Sequence, residues 1–477
     1  MEGETMLNVI DWLVILLIIC FLVLIVKKFA SKIKNAESYY VASRSIPFSL
    51  LVGTLVASWY GGPGLLNTVE TAAMSGLAAW GIWCVGAHVA RIPLALWVAP
   101  AVSMRTEMTI PQMLKKVYGK KVSFFMAIYM LITLLSISEI VALKNVVAGL
   151  FGESVTWVVP LILMGVVVLT IFGGMMGVAV TDMLLFFCMC VSIAAATSAL
   201  WGNVGCWEGL IQKLTAVYGP DTTQDMLNPF HGANTLEVVT LMFVSLKVYV
   251  HANLYQRFSA ADNPRSAARS YLACFCIFIM MDFLLTIAGL VVGTERPGTN
   301  IAQSYIAMVC QVLPSGIRGM FAVGLLGAII STLDSVWLAC AMMIANDIIG
   351  ELIPLSDQKN ILCGRISIAA FALIGYMGAF YFTRSVDVTK FFGTMTMSVQ
   401  FVMAIMGLFY RGRKTDVAAW AAMISGGLTF FVIKFCYPVV TPIGNIDGAF
   451  FAVPVSLIAF LIGSRFGKEY TRECAKG

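Results

Sequence analysis

The sequence predicts an all-α integral membrane protein of about thirteen transmembrane helices. Two observations carry this reading. Apolar residues make up 60% of the chain and charged ones only 12%, whereas soluble domains are roughly a quarter charged. A 477-residue chain with that balance has too little polar surface to stay in solution. Apolar runs also recur from end to end, each long enough to cross a hydrocarbon layer of ~30 Å. A soluble helical protein would not contain so many of them. A membrane barrel would show weak alternating segments of about ten residues instead.

In chain order the expected spans are roughly 7–27, 46–74, 78–101, 122–150, 155–173, 179–200, 235–257, 269–292, 316–348, 361–383, 388–410, 416–435 and 447–465. The apolar run Leu13–Val26 follows an acidic start, Glu2 and Glu4. It lacks the basic segment and small-residue cleavage site of a signal peptide, so it reads as a retained span. Thirteen spans put the two ends on opposite sides. One set of loops carries Lys27, Lys28, Lys32, Lys34, Arg44, Lys115, Lys116, Lys120, Lys121, Arg257, Arg265, Arg269, Arg411, Arg413, Lys414, Arg465, Lys468, Arg472 and Lys476. The opposite set holds little more than Lys213, Arg296, Arg318, Arg384 and Lys390. Basic residues favour the cytoplasmic side, so the expectation is a multi-pass plasma-membrane protein with its N-terminus outside and its C-terminus in the cytoplasm. The net charge of +6 is then accounted for by helix ends, with no nucleic-acid partner. The twelve cysteines fall singly, mostly inside apolar runs, and read as small core residues.

Two spans depart from plain helix. Ala57-Ser58-Trp59-Tyr60-Gly61-Gly62-Pro63-Gly64 interrupts the second span with three glycines and a proline at mid-membrane depth. Unsatisfied carbonyls are costly in hydrocarbon, so such a break persists beside a cavity, an ion or a ligand; a packing kink is the alternative. The ninth span gathers Ser331, Thr332, Asp334 and Ser335 within about one turn, with Ala328 on the face of Ser331 and Thr332. Hydroxyl and carbonyl oxygens around a small residue suit a hard monovalent ion such as Na⁺, whereas a lone Ser-Thr pair is usually bonded back to its own helix.

Ionisable residues at membrane depth are expensive and mark functional interiors. Asp182 follows Thr181 near the cytoplasmic end of its span. Glu139 and Lys144 are five residues apart and do not share a helix face. Lys144 is placed to snorkel to water, leaving Glu139 in need of a partner. Lys247 and His251 share a face with no nearby acid, so Lys247 must meet a carboxylate elsewhere in the fold or on a solute. Glu70, His88 and Arg91 complete the set, the last two as near-interface anchors. There is no phosphate-binding loop, nucleophile elbow, dinucleotide fingerprint or metal-ligand cluster. The expectation is a transporter and not an enzyme, driven by an ion gradient or passive.

At Gly173-Gly174 leading to Val180-Thr181-Asp182, at Arg257-Phe-Ser-Ala-Ala-Asp262 and at Ser331-Thr-Leu-Asp-Ser335, the chain resembles the sodium:solute symporter family over nearly its whole length. The resemblance implies a leucine-transporter-type fold of two inverted five-helix repeats, here 46–200 and 235–410. They would be flanked by an extra helix and cytoplasmic loop (1–45), an extracellular loop (201–234) and two further helices with a short tail (411–477). It implies a Na⁺ site built from carbonyls of Ala57, Tyr60 and Ala328 with hydroxyls of Ser331 and Thr332. Asp182 would serve a second ion site or its coupling path. The run from Ala57 to Gly62, followed by Glu70, looks most like the choline-transporter branch. Lys247 and Ala252, however, stand where relatives often carry glycine and proline, and a pocket lysine would oppose a quaternary ammonium solute.

The function expected is Na⁺-coupled symport of a small organic solute by alternating access. Lys247 and His251 favour a carboxylate-bearing solute, such as an amino acid or organic acid. Trp59 and Tyr60 could stack on a sugar or an amine, and Glu139 completes the candidate solute site. The alternatives are proton coupling or uniport, and a membrane sensor on the same fold. The short stretch after the last span is expected to leave no room for a signalling domain. Partners are therefore the solute, sodium and the lipid bilayer, with oligomeric state open.

Overall fold

The computed structural model describes residues 7–231, 239, 242–243, 245–295, 300–436, 440–441, 444–445 and 447–470. Helices account for nearly all of its regular structure. Strand pairing among the described residues is confined to a short antiparallel pair, Val440–Thr441 with Gly444–Asn445, and two single bridges. Most of the N-terminal part of the expected 235–257 span, with Arg296, Arg472 and Lys476, lies outside the described residues.

The spans follow in order. Helix α1 runs Val9–Ala30, α2 Phe48–Trp59 and α3 Gly62–Ser75. Helix α4 covers Ala79–Ser103 with two π turns. Then come α5 (Lys120–Thr133), α6 (Ile137–Phe151) and α7 (Val159–Val204). The second half begins with a 3₁₀ turn, Leu246–Val250, leading into α8 (Ala252–Ala260), followed by α9 (Pro264–Gly293). It continues with α10 (Ile317–Met343), α11 (Asp357–Gly378) and α12 (Ser385–Thr396). A π turn carries α12 on into Val402–Phe409. The last two spans are α13 (Asp416–Phe431) and α14 (Ala449–Gly463).

Four interruptions shape this bundle. The first, between α2 and α3 at Tyr60 and Gly61, falls where the glycines and Pro63 place it, with the proline at the start of α3 where its missing N–H costs nothing. Gly174, in the left-handed region at φ +55°, is all that separates the expected spans 155–173 and 179–200, which run on as α7. A third lies between α5 and α6, where Ser136 takes φ +55°. The fourth is at His251, whose extended backbone (φ −81°, ψ 123°) separates the 3₁₀ turn from α8. Neither of the last two has a glycine or proline to announce it. An apolar helix at Ile301–Val312 also lies outside the expected spans; twelve residues rise only ~18 Å, too short to cross.

Helix α10 is the central one, with nearly every side chain from Phe321 to Met343 buried. Its glycines let it approach α7: a Cβ on Gly324 would fall 2.2 Å from Ser192 Oγ, and one on Gly327 2.9 Å from Leu185. Asp11, fully buried in the first span, accepts from the N–H groups of Gly316 (2.7 Å) and Gly319 (2.9 Å) at the start of α10. A carboxylate at a helix N-terminus satisfies orphan donors and the helix dipole together. Large apolar side chains such as Leu16, Phe21, Met164, Phe187, Ile366 and Leu373 face outward, where lipid covers them.

Candidate ion and solute site

At the α2–α3 break, the helix is regular up to Tyr60, whose N–H donates to Val56 O at 2.9 Å, and resumes with Leu65 N–H donating to Gly61 O at 3.1 Å. In between, carbonyls and N–H groups lose their helical partners. Helices α10 and α6 supply replacements. Ser331 Oγ lies 2.9 Å from Ala57 O and 3.1 Å from Ala328 O. Thr332 Oγ1 lies 3.5 Å and 3.0 Å from the same two carbonyls. Two hydroxyls carry two protons for four such contacts, so these four buried oxygens keep lone pairs directed at one another. These are neutral oxygens of the kind that a small hard cation takes.

Glu139, near the start of α6, closes the other side of the break. Its Oε2 accepts from Gly62 N–H at 3.2 Å. A Cβ on Gly61 would fall 2.6 Å from Thr332 Oγ1 and 2.7 Å from Glu139 Oε1, so only glycine lets both side chains converge there. Lys144 does not pair with Glu139. It donates to Ala379 O at 3.3 Å and sits over the Phe380 ring at 5.2 Å.

One turn along α2 and α10 lies a second polar cluster. Asp182 on α7 is fully buried and accepts, at Oδ2, from Thr54 Oγ1 (2.5 Å), Ser58 Oγ (3.1 Å) and Arg257 Nη2 (3.1 Å). Arg257, used above as a basic loop residue, is in fact wholly buried on α8; it also donates to Thr54, to Asn253 O and to Ser335 Oγ. Ser335 in turn donates to Asp334 Oδ1 (3.0 Å) or Ser331 O (2.5 Å), which joins the two clusters. Asp182 Oδ1 has no hydrogen-bond partner among the described residues. Four helices (α2, α7, α8 and α10) therefore meet on one buried ion pair.

A cavity of about 370 Å³ opens from the break. Trp59, Glu139, Lys247 and His251, drawn from different parts of the chain, all line it, together with Thr332 and Arg91. His251 packs edge-on to Trp59 (5.5 Å) and its Nδ1 lies 2.5 Å from Asn253 Oδ1. Lys247 rests against Gly393 of α12 and makes no hydrogen bond or ion pair among the described residues. Glu139 is not its partner. Tyr60 points elsewhere: its ring is buried against Phe278 at 5.7 Å, and its hydroxyl donates to Asp282.

Three participants were missed or misplaced by sequence reasoning. Asp282 sits mid-span in α9, and an isolated acid there was signal enough to single it out. His88 is no interface anchor but is buried, 2.7 Å from Asp282 Oδ2. Arg91 likewise faces the cavity, its guanidinium 5.2 Å over Trp59.

Comparison with known proteins gives consistent results. The model of the "Sodium:solute symporter family" matches residues 39–426. The sodium/glucose cotransporter of Vibrio parahaemolyticus is 23% identical over 375 residues, 72% of this chain and 68% of its own. The high-affinity proline transporter PutP of Bacillus subtilis (strain 168) is 23% identical over 378 residues, 75% of each chain. Among solved structures, a substrate-bound, outward-open Na⁺-coupled sialic acid symporter matches with TM-score 0.83 at 14% identity, covering 97% of this chain and 99% of that one. MHP1, a nucleobase-cation-symport-1 family transporter in a closed conformation, matches with TM-score 0.60 at 12% identity, over 92% and 98%. At these identities the structural matches establish the fold, which is of the leucine-transporter type.

Proposed function

The chain belongs to the sodium:solute symporter family and is a multi-pass membrane protein that couples Na⁺ to the movement of a small solute; on that premise we propose where ion and solute bind. Na⁺ binds at the α2–α3 break, between the carbonyls of Ala57, Tyr60 and Ala328 and the hydroxyls of Ser331 and Thr332. The observation that carries this is the convergence of Ser331 and Thr332 on Ala57 O and Ala328 O. The solute occupies the adjoining cavity between Trp59, Glu139, Lys247 and His251. Relatives named for proline and for glucose differ in the charge of what they carry. Two cations on this cavity wall, Lys247 and Arg91, favour a carboxylate-bearing solute. Trp59 supplies an apolar face.

Asp182 serves a second ion site or its coupling path: Arg257 meets its Oδ2, while its buried Oδ1 has no hydrogen-bond partner among the described residues. Ion binding draws α2 and α10 together beside the Asp182 cluster, and alternating access rocks the broken spans 46–74 and 235–257 against the rest. The two repeats are 46–200 and 235–410, with 1–45, 201–234 and 411–477 peripheral. The protein resides in the plasma membrane with its N-terminus outside, and no covalent step is part of its work.

The test uses purified protein. Na⁺, and neither K⁺ nor choline ion, should raise its melting temperature. Replacing Ser331 and Thr332 together by alanine should raise the half-saturating Na⁺ concentration at least tenfold, about 1.4 kcal/mol. An unchanged Na⁺ titration in that double variant removes the site.

A further inference from the structure

A line of buried polar contacts runs from Tyr60 at the helix break to Arg91, which lines the cavity. The hydroxyl of Tyr60 donates to Asp282 Oδ1. Asp282 Oδ2 lies 2.7 Å from His88 Nε2, and His88 Nδ1 lies 3.2 Å from Arg91 Nη1. A guanidinium only donates, so Nδ1 accepts and the His88 proton sits on Nε2, pointing at Asp282. His88 is thus a neutral link between an anion and a cation. Tyr60 and His88 both stack on Phe278, at 5.7 Å and 5.2 Å, which fixes the two rings in one apolar slot.

Arg91 itself is only half satisfied. No carboxylate among the described residues lies within ion-pair distance of it, and its Nε is buried with no partner. Its guanidinium carbon lies 5.2 Å over the Trp59 ring, and the residue lines the cavity. A planar fork held in this way suits a carboxylate in two parallel hydrogen bonds, whereas an ammonium group offers only a point charge.

We propose that Arg91 receives the carboxylate of the transported solute, and that Asp282, acting through His88, is the positioning residue that ties this guanidinium to Tyr60 at the ion-binding break. The proposal rests on the symport reading above and deepens it. A cation held by the carbonyls on either side of Trp59 fixes the backbone of Tyr60. The hydroxyl of Tyr60 then holds Asp282, Asp282 holds His88, and His88 orients Arg91. Ion occupancy and the aim of the guanidinium share one set of contacts, which is what a coupling free energy between the two sites requires. Lys247 stays available for a second acceptor on the solute.

The experiment measures thermal stabilisation of the purified full chain, with and without NaCl, by lactate, succinate and glucuronate and by lactamide, succinamide and glucose as uncharged counterparts. At least one carboxylate should stabilise the wild type where its counterpart does not. Arg91→Met should raise that dissociation constant by about tenfold or more, with Arg91→Lys intermediate. Stabilisation by Na⁺ alone should be kept in both. In Asp282→Asn, the factor by which Na⁺ tightens the carboxylate should fall by about fivefold, while Na⁺ alone still stabilises. His88→Gln, which keeps a donor and an acceptor, should retain that factor, and His88→Leu should lose it. The proposal is overturned if no carboxylate stabilises the wild type, if the uncharged counterparts do so equally, or if Arg91→Met and Arg91→Lys bind within twofold of wild type. Full Na⁺–carboxylate coupling in Asp282→Asn overturns the positioning role. Failure of Na⁺ to stabilise the wild type would instead count against the ion site, and Arg91 would then be judged on the carboxylate-versus-amide difference alone.

Discussion

Arg257 and Asp182 show how closely charge is balanced at residue scale. Both are wholly buried, 3.1 Å apart, with the arginine fork shared among Asp182, Thr54, Asn253 and Ser335. Removing one member of a buried pair leaves an uncompensated charge, at about 3–5 kcal/mol. Arg257→Met should therefore melt well below wild type, and adding Asp182→Asn should recover part of the loss. Equal melting of wild type and the single variant would show that the pair is not held as a charge pair. Asp182→Asn alone keeps the shape of the cluster, so the protein should fold while turnover or apparent Na⁺ affinity falls. Wild-type transport would leave Asp182 a structural role only. Lys247 is a different case. It makes no hydrogen bond or ion pair among the described residues, and Glu139 is bonded to Gly62. Lys247→Met should keep the stability of the wild type and lose affinity for a carboxylate solute, and Glu139→Gln should bring no rescue. Lost stability on Lys247→Met, restored by Glu139→Gln, would contradict this placement.

At the scale of elements, the breaks decide what the side chains can do. Gly61 is the clearest instance, because its missing Cβ is what admits Thr332 and Glu139 together. Gly61→Ala should weaken Na⁺ stabilisation by about tenfold or more, read from the same Na⁺ melting titration. A neutral effect would mean that the break has slack not evident in its contacts. This break was legible in the sequence because three glycines and Pro63 are strong punctuation. The break at His251 was not: Lys247 to Asn253 contains neither residue type, and the His251 side chain there meets Trp59 from a distant span and, locally, Asn253. Ser136 is similar, a left-handed serine that local propensity would not choose. The Ser331–Ser335 turn was readable as a patch of oxygen, yet its division into a half facing Ala57 and a half facing Arg257 was not. That division depends on α2 and α8, which lie far off in the chain. Asp282 and His88 each stand out as costly alone, but their pairing was not readable, because the two lie far apart in the chain.

For the whole molecule, charge sorts the two ends. At one end Arg44 donates to the carbonyls of Arg105 and Thr106, Lys116 pairs with Glu107, Lys115 and Lys120 pair with Glu351, and Arg413 pairs with Glu469. At the other, Glu70 lies with Arg384, Lys213 with Glu295 and Asp225 with His231. Basic residues near span ends favour the cytoplasmic side, so the first end is expected inside. The cavity lining climbs α3 from Gly61 through Asn67 to Thr71, beside Glu70, and so approaches the second end. Toward the more basic end, Arg257 holds Asp182 and Ile46 bridges to Ala261. Together these features predict a cavity that fills from outside. A fluorescent protein fused after Gly477 should therefore mature in the cytoplasm, and alkaline phosphatase fused after Gly219 should be active outside, when the chain is produced in a bacterial membrane. The reverse pattern would invert the protein, and the cavity would then face the cytoplasm. Fluorescence without phosphatase activity, or phosphatase activity without fluorescence, would place both fusion points on one side and mean that the spans between residues 219 and 477 are not the odd number counted here, because an odd number of crossings must separate the two fusion points.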